Sequence, residues 1–182
     1  MPSKSPWPKN GTVIDVNKGD WMNRLIIGHP VTGLVRVEWM FGRFGQTVPC
    51  NWSHTDVVQF MSPYVPLCYQ VADAENLIAR TVVEHKAEWL LFWEHDNIPP
   101  NDALVALNQY MLEKKVPVVG GLYFTKSVPP EPLVYRGVGN SYFNDWRMGD
   151  KVWVSGVPFG FTLISGSLIK AMWDESPEYV VN

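Results

Sequence analysis

The sequence predicts an α/β fold, a single domain with a mostly parallel central sheet flanked by helices and an irregular, β-containing C-terminal third. Three observations predict it. Short continuous apolar runs, RLIIG (24–28), WLLFW (89–93) and the longer VPVVGGLYF (116–124), have the character of strands buried on both faces. Around them lie stretches of helical spacing, with Leu77, Ile78 and Val82 on one face of the first and Leu104, Leu107 and Met111 on one face of the second. Strand, helix, strand in succession marks parallel pairing through crossover helices. The size and composition agree, since 182 residues with 46% hydrophobic and 18% charged side chains suit one core and exclude a disordered chain.

The elements follow in order. Residues 1–22, with three prolines and no helical period, read as a tail or one peripheral strand. RLIIG is the first buried strand, ended by His29 and Pro30. Thr32 is placed to cap a helix whose Leu34, Val37 and Phe41 recur on one face. A second strand is expected at Thr55–Phe60, and a loop punctuated by Pro63 and Pro66 leads to a helix capped by Asp73 with a polar end at Glu84–Lys86. The strand at 89–93 comes directly after. Asn101 and Asp102 start the next helix, with Asn101 as its cap and Lys114 and Lys115 at the negative end of its dipole. The strand at 116–124 follows. Beyond Pro129 the pattern gives short β segments at Leu133–Arg136 and Lys151–Val154, an apolar stretch Phe159–Ile164 and a helix from about Ser167.

Charge and motif content narrow the chemistry. A net charge of -3 with scattered lysines and arginines offers no field for a nucleic-acid backbone, so no nucleic-acid partner is expected. No window reaches the ~20 apolar residues of a membrane span, and MPSKSPWPKNG lacks the apolar run of a signal peptide, so no transmembrane segment and a cytoplasmic location are expected. Cys50 and Cys68 read as free thiols. The four histidines share no ligand spacing, ISGS (164–167) is a helix cap rather than a nucleophile elbow, and no P-loop or dinucleotide glycine motif is present. Most of the nine tryptophans fill the core, with Trp146 and Trp153 left as candidate platforms for a flat ligand.

The stretch EWLLFWEHDNIPP (88–100) is the exception to a bland reading. Its apolar strand runs straight into Glu94 and Asp96, and an unpaired carboxylate is costly at the end of a buried strand. In a parallel sheet, ligands sit at the carboxyl ends of strands. If the extended conformation continues, Glu94 and Asp96 point to one side and His95 to the other. Two converging carboxylates suit Mg²⁺ or Mn²⁺, which complete their shells with water and substrate phosphates. Asn101 already serves the following helix as its cap, so these acids are not needed for capping.

The segment ENLIARTVVEHKAEWLLFWEHDNIPPNDALVALNQYM, the following VPVVGGLYF and the earlier LIIGHPVTGLV together resemble the nucleotide-sugar glycosyltransferases of GT-A type, a Rossmann-like fold, over about residues 23–126. Glu94-His95-Asp96 stands where that family carries its DxD motif. The resemblance implies a metal-dependent glycosyltransferase acting on a nucleoside-diphosphate sugar and an unknown acceptor, with Mn²⁺ or Mg²⁺ as cofactor. Asp96 would be the direct metal ligand and Glu94 would assist; His29 and Pro30 would border the nucleotide; Asn76 would lie in the donor site; and Gly120 and Gly121 would let the donor sugar approach the backbone. Residues 23–126 would be the nucleotide-sugar-binding part and 127–182 the acceptor side. Glu75 departs from the family pattern, which has Arg there, and exchanges a cation for an anion. Family members also continue beyond a segment like FGFTLISGSLIKAMW, so the resemblance implies a chain truncated against that pattern, with Asp145, Asp150, Asp174 and Glu175 the acids of the last third and no catalytic base assigned. Two alternatives share the scaffold: a catalytically inactive nucleotide-sugar or glycan-binding module, and a metal-dependent nucleotidyltransferase.

Overall fold

The computed structural model of the chain describes residues 14–49, 59–60, 64–137 and 142–177. Five strands form one sheet: β1 (Asn23–Gly28), β2 (Gln59–Phe60), β3 (Ala87–Trp93), β4 (Val118–Gly120) and β5 (Phe161–Ser165), in the spatial order β2-β1-β3-β5-β4. Four helices connect or follow them: α1 (Val37–Phe44), α2 (Val71–Glu84), α3 (Ala103–Glu113) and α4 (Gly166–Glu175).

β3 explains why the sheet is the centre of the molecule. All seven of its residues are buried, which a strand covered on both faces requires. Alternation sends Trp89, Leu91 and Trp93 to one face, where they meet Trp39 of α1 and Leu104, Leu107 and Met111 of α3. Leu90 and Phe92 go to the other, against Ile78 and Val82 of α2 and Ile169 of α4. The helices therefore cover both faces, two on each. Gly28 ends β1 where Ile78 leaves no room for more; a Cβ there would stand 2.4 Å from the Ile78 side chain.

The α/β class is as expected, but the pairing is mixed rather than mostly parallel. β1 pairs in parallel with β2 and β3, whereas β5 runs antiparallel between β3 and β4. The apolar stretch near Phe159–Ile164 inserts as β5 into the slot expected for the 116–124 strand, which contributes only Val118–Gly120 at the sheet edge. The fully buried run FTLIS fits that central slot because it is covered on both faces.

Helix starts also differ. α1 begins at Val37, and Leu34, Val37 and Phe41 lie exposed. Its buried face is Trp39 and Gly42, because the contacts that hold it are aromatic ones to His29 and Trp93. Asp73 lies in the first turn of α2 rather than at its cap. No side chain of Asp102 caps α3, and Asn101 does not either; the buried Gln46 accepts from Leu104 N at 3.4 Å and donates to the Gly42 and Pro100 carbonyls at 3.0 and 2.8 Å. Ser165 caps α4 by accepting from Leu168 N, as ISGS suggested.

Residues 14–22 form no strand, although Val16 is buried and Asp20 meets Lys86 at 2.8 Å. Of the strand expected at Thr55–Phe60, only Gln59 and Phe60 fall among the described residues. The segments 133–136 and 151–154 are not strands; isolated bridges join Tyr135 to Tyr142 and to Gly156 instead. Cys68 is a free, exposed thiol, and Cys50 lies outside the described residues. Among the described residues no helix is long and apolar enough to cross a membrane.

Candidate functional site

The topology gathers one edge of the sheet. From β1 the chain crosses by α1 to β2 on one side, then by α2 to β3 on the other, so the direction of winding reverses between β1 and β3. Crevices for ligands open at such a reversal, outside the carboxyl ends of the strands. Glu94 leaves β3 there. His29 and Pro30 leave β1 beside it, the segment after β4 brings Tyr123 and Lys126, and Gly160 leads into β5.

Glu94 and Asp96 are brought near one another, though not by strand alternation. The chain turns at once after Trp93, with Asn97 N donating to the Glu94 carbonyl at 3.3 Å. That turn is anchored from two sides: Glu94 N donates to the Gly160 carbonyl at 2.9 Å, and the indole of Trp39 donates to the Glu94 carbonyl at 3.0 Å. Partial burial first, and then the charge of Asp96, hold the Glu94 carboxyl above the usual range; His95 and Lys126 act the other way. Glu75 of α2 is also raised, by burial and by the charge of Glu94. Asp96 is more exposed and meets Lys126 Nζ at 2.7 Å, with Asn97 Nδ2 donating to its other oxygen at 3.2 Å. Glu94 thus feels the charge of Asp96, and Glu75 feels that of Glu94.

Glu94 and Asp96 would offer a hard cation two carboxylates, and Glu75 of α2 feels the charge of Glu94. Among the described residues no group of three His, Cys, Asp or Glu side chains is arranged to hold a metal. Two carboxylates are nevertheless the usual protein share for Mg²⁺ or Mn²⁺ bound together with substrate phosphates. The residues present fit such an ion in that limited sense.

The other expected site residues fall as follows. His29 is buried, 2% exposed, and both its nitrogens are in use. Arg43 Nε donates to Nε2 at 3.0 Å, which places the ring proton on Nδ1, 2.8 Å from the Trp93 carbonyl. Burial above all, with the charge of Arg43, brings its pKa down to about 4, although the Trp93 carbonyl opposes this. His29 therefore supports the end of β3 and has no nitrogen to offer a nucleotide. Pro30 is buried as well, its carbonyl 3.2 Å from His95 Nδ1. Asn76 is half-buried and lines a groove. A Cβ at Gly120 would meet Val157 at 2.9 Å and one at Gly121 would meet Phe161 at 2.8 Å, so both positions make room for the protein's own side chains, and Gly120 also lines a groove.

Tyr123 and Lys126 belong to the site and were not singled out in the sequence. Gly160 N donates to the Tyr123 hydroxyl at 2.8 Å. Burial chiefly, aided by the charges of Glu94 and Asp96 and opposed by Gly160, pushes this phenol up to about 12, so it keeps a proton to donate. A Cβ on Gly160 would collide with that hydroxyl at 2.4 Å. Both residues follow the glycines of GGLYFTK, and the strand-end argument that singled out Glu94 applies equally to them.

A groove of about 890 Å³ opens along β4 and α4, and neither Glu94 nor Asp96 lines it. Glu75 and Asn76 stand in its wall with Phe92 and Phe159, whose rings stack at 5.0 Å, and it extends past Val118 to Trp173. Trp146 and Trp153, the candidate platforms, both line it.

No protein-family model matches the chain, and no curated protein does either. Among solved structures, the crystal structure of A197 from STIV is similar, with a TM-score of 0.56 and 19% identity over 81% of this chain and 67% of that one. That likeness concerns the fold alone.

Proposed function

We propose that the chain is a metal-dependent glycosyltransferase of GT-A type, moving a sugar from a nucleoside-diphosphate donor to an acceptor. The observation that carries the proposal is the placement of Glu94 and Asp96, two interacting carboxylates, where the winding of the sheet reverses between β1 and β3. The resemblance of residues 23–126 to that family supports it. The Rossmann-like character of the nucleotide half is part of the same proposal, with β5 as its antiparallel insertion.

Asp96, the more exposed acid, and Glu94 would hold Mn²⁺ or Mg²⁺, which when bound neutralises charge developing on a departing diphosphate. The protein's own part is to fix the turn. Trp39 and Gly160 clamp Glu94 by its backbone, and the neutral Tyr123 phenol offers a hydrogen at the edge of the acids. The groove, with its aromatic walls, would take the acceptor. Of the acids in the last third, Asp150 lines that groove but accepts from Arg147 N at 2.8 Å, and Asp174 is paired with Lys170.

Calorimetry of UDP- and GDP-sugars with Mn²⁺ tests the assignment. Asp96→Ala should weaken Mn²⁺-dependent binding by at least about tenfold, roughly 1.4 kcal/mol, while Asp145→Ala leaves it unchanged. Equal affinities for wild type and Asp96→Ala reject it. The anion at Glu75 favours a second reading, a binding module on this scaffold without turnover. Donor hydrolysis with Mn²⁺ separates the two, because a transferase releases some free sugar and a binder releases none.

A further inference from the structure

We propose that Lys126 is an exchangeable counterion of the acid site: its ammonium holds Asp96 while no divalent cation is bound, and takes the donor's diphosphate when the cation takes Asp96. This inference rests on the metal-dependent reading above and adds a residue to it that binds the donor.

Three observations point to it. First, Lys126 Nζ lies 2.7 Å from Asp96 Oδ2, on the carboxylate assigned to the metal, so ammonium and metal compete for one group. Second, the pair is exposed, with the lysine side chain 84% and the aspartate 33% accessible. Ion pairs in such surroundings contribute little and exchange partners at small cost. Third, the backbone that carries Lys126 is braced. Thr125 N donates to the Glu131 carbonyl at 2.8 Å and Glu131 N donates to Thr125 Oγ1 at 2.9 Å; that oxygen also lies 2.5 Å from Ser127 Oγ, which donates to the Pro129 carbonyl at 2.9 Å. The flanking residues are held by hydrogen bonds, and the lysine side chain between them projects into solvent.

The charges require a partner for Lys126 in both states. Asp96 acts on Glu94 and Glu94 on Glu75, and Lys126 is the lysine that bears on Glu94. A divalent ion on Asp96 would leave the ammonium unpaired beside a site receiving a diphosphate. Lysine binds phosphate as a flexible point charge, which suits a side chain that must move.

The test is Mn²⁺ binding to the metal-free protein, followed by the electron paramagnetic resonance of free Mn²⁺, and then titration of UDP, GDP, CDP and ADP at saturating Mn²⁺. Lys126→Met should bind Mn²⁺ alone about 2- to 5-fold more tightly, the fold-change that corresponds to losing one exposed competing pair. It should bind its preferred nucleoside diphosphate on the order of tenfold more weakly, as expected for a lost charge-assisted hydrogen bond. Lys126→Arg should restore most of the nucleotide affinity. Unchanged Mn²⁺ affinity in Lys126→Met, or unchanged nucleotide affinity, overturns the exchange while wild-type binding leaves the metal-dependent reading standing. Wild-type protein that takes up no Mn²⁺ even with nucleotide overturns both.

Discussion

Glu94 and Asp96 are two residues apart and differ in what surrounds them. Glu94 is half-buried and raised toward its neutral form, whereas Asp96 stands farther into solvent with a lysine upon it. One carboxylate is partly desolvated, and the other is paired with a lysine. The sequence made the pair conspicuous because a buried aromatic strand ends on them. It concealed their environment, since Lys126 and Tyr123 arrive from the far side of β5.

His29 is the clearest case of a residue whose position was legible and whose role was not. Its place at the end of β1 follows from the pattern, but the aromatic cage of Trp39 and Trp93 and the donation from Arg43 depend on tertiary contacts. Because its folded pKa of about 4 lies below the ordinary value, the imidazolium is disfavoured in the native state. Stability from this group is whole above pH 6.5 and falls as the pH drops toward 4, by about 3 kcal/mol in total at ~1.4 kcal/mol per unit. Proton NMR of the four histidine rings should find one that titrates only near pH 4, and urea unfolding should weaken across the same window. Four rings titrating near 6.5 would contradict this.

Among the elements, β3, α2 and α3 were recoverable from the sequence because each is defined by what it buries: WLLFW by continuous apolarity, Ile78 with Val82 and Leu104 with Leu107 and Met111 by helical spacing. α1 was recoverable as a helix but not in its orientation. Its apolar residues surround the whole helix, and the single tryptophan that reaches His29 decides which side turns inward. α3 starts directly after Asp102, as the pattern indicates, but its side-chain cap comes from a glutamine 58 residues distant in sequence, a contact that no local pattern records. Gln46 joins the end of α1 to the turn 94–100 and to α3, so Gln46→Ala should remove the acceptor of Leu104 N and the donor to the Gly42 and Pro100 carbonyls and cost about 1–3 kcal/mol in denaturant unfolding. The substitution should also weaken Mn²⁺-dependent nucleotide binding, though less than Asp96→Ala, because it loosens the turn without removing a ligand. Stability within error of wild type would show that Gln46 does not hold that junction.

For the whole molecule, the α/β class and the strand-end location of the acids follow from pattern alone, while the order of the strands does not. The interruption of parallel pairing by β5 could not be read from FTLIS, because a short apolar run is equally at home beside either kind of neighbour. The same insertion places Gly160 against Glu94 and Tyr123, and so completes the site. The similarity to A197 from STIV supports the architecture at a level where it says nothing of the reaction. What distinguishes this surface is charge: Glu94 raised by burial and by Asp96, Glu75 raised by burial and by Glu94, and Lys126 paired with Asp96. Diffraction at the manganese absorption edge, from crystals grown with Mn²⁺ and a nucleoside diphosphate, examines that directly. The account predicts an anomalous peak coordinated by Asp96, with Glu94 beside it and Lys126 displaced onto phosphate; no peak there, with Asp96 still paired to Lys126 and nucleotide bound elsewhere, would contradict it.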